Sequence, residues 1–111
     1  RCDPFVAEVF DAPPVKSKHR LTILDALVVQ FHKGPSYHAR WADKFGGLVF
    51  SLDPVAADAV GWTIIERLRK AAGLTTLADE GRAPEYLKTA AKMGLGLADP
   101  ASIEMVEEAV A

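Results

Sequence analysis

The chain has 111 residues, half of them hydrophobic and a quarter charged, with a formal net charge of −2. That length supports one domain with a modest core, and the composition lies far from the low-hydrophobicity, high-charge regime of disorder. The charge balance offers no broad basic field for phosphate backbones, and no segment approaches the roughly 20 apolar residues that span a bilayer, so neither nucleic acid nor membrane is an expected partner.

Cys2 is the single cysteine. No intrachain disulfide, cysteine-rich metal site or iron–sulfur cluster can be built from this chain, no metal site is expected, and a reducing, cytoplasmic setting fits. The opening Arg1-Cys2-Asp3-Pro4 carries neither an initiator methionine nor the charged-then-apolar layout of a signal peptide. A piece of a longer protein is the expectation.

In chain order, residues 5–10 read as a short helix, with a strand as the alternative, stopped by Pro13 and Pro14. The basic run Lys16, Lys18, His19 and Arg20 reads as a solvated loop. Residues 20–30 are nearly continuously apolar and rich in branched side chains, which predicts a buried strand interrupted by Asp25. Residues 31–44 form a polar loop with aromatic groups among cationic ones, the kind of segment where ligands meet a scaffold. A second strand follows over residues 46–52, opened by glycines.

Asp53 is placed to cap the next helix, which Pro54 opens and Gly73 stops. Val55, Ala59, Val60, Ile64 and Leu68 make its apolar stripe, and Glu66, Arg67, Arg69 and Lys70 are assigned to solvent. After a polar connection, Pro84 and Glu85 open a second main helix that Gly94 ends. For residues 102–107 the spacing fits both a strand and a helix.

The candidate ligand-binding residues are Asp25, His32, Gly34, His38 and Asp58. Asp25 sits at a strand end near a loop, where open sheets present chemistry, or it bonds backbone amides at a turn. Asp58 stands at a second-turn position where no cap needs it, so it is a site or a bond to a neighbouring loop. His32 and His38, with Lys33, Tyr37 and Arg40, can donate to an anion, but their spacing matches no metal pattern. Asp53, Pro54, Gly73, Gly94 and Gly96 are read as caps and turns, Gly94 and Gly96 included, because this Gly-x-Gly follows a helix instead of opening one.

Four blocks, Leu21-Thr22-Ile23-Leu24-Asp25-Ala26, the Gly34-Pro35 loop, residues 52–61 (Leu-Asp-Pro-Val-Ala-Ala-Asp-Ala-Val-Gly) and Gly94-Leu95-Gly96-Leu97-Ala98-Asp99, resemble the C-terminal part of the domain-of-unknown-function family numbered 362. The resemblance covers about residues 20–107, and the order of the blocks is more specific than any one of them. It implies an uncharacterised α/β protein, commonly longer, often fused to a ferredoxin-like module with cysteine-bound iron–sulfur clusters. This chain departs on both counts, so a cluster is expected only in a part of the protein outside it. The resemblance also tips residues 102–107 toward a strand.

The expected fold is therefore α/β, with α+β as its variant: a small sheet of two to four strands packed by two main helices, an incomplete piece of a larger domain. Two functions follow as expectations. One is a redox-associated or small-molecule domain with Asp25, Asp58 and the 32–41 loop around one cleft. The other is a noncatalytic module that self-associates as a homo-oligomer, or completes a sheet with the missing half of its own domain.

Overall fold

A computed structural model describes residues 2–110. In chain order the elements are α1 (Phe5–Asp11), α2 (Pro13–Lys16), β1 (Thr22–Ala26), β2 (Val29–Gln30), β3 (Ala42–Asp43), β4 (Gly47–Ser51), α3 (Pro54–Ala71) and α4 (Glu85–Lys92), with single 3₁₀ turns at Ala39–Trp41 and Pro100–Ser102. The chain is a mixed α/β unit whose strands form two antiparallel pairs, β1 with β4 and β2 with β3.

Local chemistry explains most boundaries. Pro13 and Pro14 end α1 but also open the one-turn α2, since proline at a first helical position wastes no needed donor. Helix α3 starts where Asp53 Oδ1 accepts from the Ala56 amide at 2.9 Å, and it stops before Gly73, which takes φ +76°. Gly94 ends α4 in the same left-handed conformation. Residues 104–110 form neither strand nor helix, and Ile103 follows the 3₁₀ turn that Asp99 caps through the Ala101 amide.

The apolar run of residues 20–30 is not one buried strand. It is cut at Ala26, where the Asp25 carboxylate accepts from the Leu27 amide at 2.9 Å and turns the chain. Within β1 the burial alternates, with Thr22, Leu24 and Ala26 turned inward and Ile23 and Asp25 outward. Strand β4 alternates in step: Ile23 pairs with Phe50 and Asp25 with Leu48 on the outer face, and Leu24 pairs with Val49 on the inner one. The inner face packs on α3, so closely that a Cβ on Gly61 would meet Leu24 Cδ2 at 2.8 Å.

The core lies where α1, α3 and α4 meet, around Ala7, Val55, Ala59, Leu87, Ala90 and Leu95. Most fully buried apolar residues are alanines, while Leu21, Ile23, Leu48, Phe50 and Leu52 are exposed. The accessible surface of 7793 Å² exceeds the about 6,000 Å² expected of a folded monomer of 12.0 kDa. The extended 104–110 segment supplies part of that excess, and the bare outer face of β1 and β4 supplies another part.

Candidate functional site

Asp53 does more than cap a helix. Its Oδ1 accepts from Ala56 N, and its Oδ2 accepts from Leu97 N at 2.8 Å, which ties the start of α3 to the turn after α4. Gly96 lies directly under this carboxylate, where a Cβ would come within 2.0 Å of Asp53 Oδ1. Gly96 is thus a close-approach glycine, and its role is structural.

Asp58, one turn into α3, accepts the Tyr86 hydroxyl of α4 at Oδ2, 2.7 Å away. Partial burial and the neighbouring carboxylate both push the Tyr86 hydroxyl well above its ordinary pKa, so it stays protonated and donates. The pair stands at the edge of a cavity of about 230 Å³ between α1, α3 and α4, floored by Ala7, Val55, Leu87 and Ala90.

At the other end of α3, Arg69 is the most buried charged residue, 1% exposed, and not the solvent-facing residue its position near a helix end suggests. Its Nε donates to Thr75 O at 3.0 Å, Nη1 to Phe31 O at 3.0 Å, and Nη2 to Glu80 Oε1 at 2.7 Å. Buried charge is tolerated when it is paired and hydrogen-bonded, and here the guanidinium joins α3, the 31–41 loop and the 74–82 connection. Glu80 also accepts from Thr75 and from Arg82, and these bonds hold its carboxyl down to about 2, Arg82 contributing most. Glu66 is likewise not a solvent residue, since its Oε1 accepts from Trp62 Nε1 and Leu77 N.

His32 sits beside this cluster, its Nδ1 3.4 Å from Arg69 Nη1 and its ring edge-on to Trp41 at 4.8 Å. Partial burial, followed by the charges of Arg69 and Lys33, lowers its pKa. The loop itself is organised by Gln30, whose amide donates to His32 O and Ser36 O while its Oε1 accepts from His38 N. His38 serves through its backbone, opening the 3₁₀ turn, and Gly34 has room for a side chain beside Gln30.

These placements separate the predicted site residues. Asp25 faces outward and edges a second cavity, between β1, β2 and α3, with Gln30, Gly61 and Ile64. Asp58 edges the first cavity, and His32 lies at Arg69, eleven residues further along α3, or about 16 Å at helical rise. The single cleft expected around Asp25, Asp58 and the 32–41 loop is therefore not formed. Tyr86, Arg69, Glu80 and Gln30 are the hydrogen-bonding partners of these regions that the sequence did not single out. For Arg69 one signal was present: Val55, Ala59, Trp62, Glu66 and Arg69 recur at alternating spacings of four and three, the period of one helix face.

Comparison of the chain with family models, with curated proteins and with solved structures finds no match.

Proposed function

We propose that this chain is a noncatalytic interaction module that self-associates through the outer face of the β1–β4 pair. One observation carries the reading: Ile23 and Phe50 stand directly opposite each other on that face, 56% and 61% exposed, with Leu21, Leu48 and Leu52 exposed around them. Single exposed apolar residues are ordinary, but a contiguous patch on a sheet is a contact surface.

A pair of strands is marginally stable alone and gains from a further layer on its open face. A second copy fits because a two-fold axis sets the same apolar patch on itself, with Asp25 the one charged residue of the β1–β4 outer face.

Light scattering from micromolar to millimolar concentration tests the proposal. A dimer is expected, and Phe50→Lys is expected to give a monomer with unaltered far-ultraviolet circular dichroism. A wild-type chain that stays monomeric, or a Phe50→Lys dimer as stable as wild type, overturns it.

A further inference from the structure

The cavity between α1, α3 and α4 has a feature that core packing does not require. Its floor is apolar, from Ala7, Val55, Leu87 and Ala90, yet a carboxylate stands at its edge. Asp58 Oδ2 is occupied by the Tyr86 hydroxyl, and Oδ1 has no hydrogen-bond partner among the described residues. Among the described residues the lining holds no lysine, arginine or histidine. Thr22, the other polar side chain there, is engaged with His19 at 2.7 Å.

We propose that this cavity binds a small primary amine carrying a compact apolar body, with the ammonium donating to Asp58 Oδ1 and the body resting on the alanine-rich floor. Size allows it: about 230 Å³ exceeds the ~150 Å³ apolar void that is known to hold benzene in another protein. Charge selects it. A lining with one carboxylate and, among the described residues, no cation repels carboxylates and phosphates, offers an alcohol a single hydrogen bond, and gives an ammonium that bond together with an opposite charge.

Tyr86 is the positioning residue. Its hydroxyl holds one carboxylate oxygen from α4, which fixes the plane of the group and leaves the other oxygen for the ligand. The site touches β1 only through the inward-facing Thr22 and does not depend on self-association, since none of its lining belongs to the outward residues of that pair.

The test uses three probes of one shape on the full chain: 2-phenylethylamine, 2-phenylethanol and 3-phenylpropanoate, each titrated while amide and methyl resonances are followed by NMR. The amine is expected to shift Ala7, Leu87 and Ala90 and to bind at least about tenfold more tightly than the alcohol, with the carboxylate weakest. Asp58→Asn is expected to bring the amine down to about the level of the alcohol and to weaken the alcohol much less than the amine. Ala90→Leu, which fills the floor and leaves Asp58 in place, is expected to abolish both. Equal binding of amine and alcohol, shifts confined to the Asp25 cavity, no binding of the amine, or an Asp58→Asn variant that binds the amine like wild type each overturns the proposal.

Discussion

Gly96 and Asp53, forty-three residues apart in sequence, are in direct contact: the carboxylate occupies the space where any side chain at position 96 would begin. The carboxylate cannot retreat, because it accepts at once from Ala56 N and Leu97 N. Gly96→Ala is expected to destabilise the chain by about 2–4 kcal/mol, through overpacking and two loosened amide bonds. Asp53→Ala is expected to cost about 2 kcal/mol, for a lost cap and one further bond. Because removing Asp53 removes the clash, the double variant should cost less than the two singles together in urea denaturation. Strict additivity would show that the contact carries no energy.

Arg69 gives a second prediction, on substitution by an apolar side chain of similar length. Arg69→Met leaves Phe31 O and Thr75 O without their donor and Glu80 without its buried partner, and is expected to cost about 3–5 kcal/mol. Arg69→Lys should recover little of it, because an ammonium cannot serve three directions as a planar guanidinium does. A lysine variant as stable as wild type in the same denaturation series would show that charge alone matters here.

What the sequence made legible is what local chemistry decides. Asp53-Pro54 and Gly73 bound α3, and Gly94 ends α4, because caps and stops act within a turn. The apolar run around β1 was legible as extended chain but not as two-faced, since whether Ile23 is buried depends on what lies over the sheet and not on its neighbours in sequence. Arg69 looked like a cation suited to a helix C-terminus. Its burial comes from partners six, eleven and thirty-eight residues away, which no local pattern reports. Asp58 stood out as an acid without a local job, but Tyr86, its partner at a separation of twenty-eight, carried no mark.

Gly61 offers a milder case than Gly96, and the contrast is a third prediction. A Cβ there would meet Leu24 Cδ2 at 2.8 Å, the far end of a side chain that can change rotamer. Gly61 lies within α3, where alanine is the better helix former by about 1 kcal/mol, so strain and propensity oppose each other. Gly61→Ala should shift stability by no more than about 1 kcal/mol. A loss as large as that of Gly96→Ala would mean that Leu24 is locked between β4 and α3.

Acid should loosen the Arg69 cluster in two stages, set by His32 and Glu80. The folded chain keeps the His32 ring neutral, below its ordinary 6.5, because the ring is partly buried and faces Arg69 and Lys33 while Glu80 only partly offsets them and Arg82 adds to the repulsion. Between 6.5 and the lowered value the unfolded chain holds more protons than the folded one, so stability declines as pH drops below 6.5. Glu80 acts lower down: its contribution is complete above 4.5 and is lost as pH falls through about 2. Melting temperature followed from neutral to strongly acid pH should therefore fall in two steps. His32→Gln should flatten the upper one only, and Glu80→Gln should chiefly flatten the lower one, at a reduced melting temperature throughout because Arg69 loses its charged partner. Profiles of both variants that run parallel to wild type across the whole range would show that neither group couples its protonation to folding.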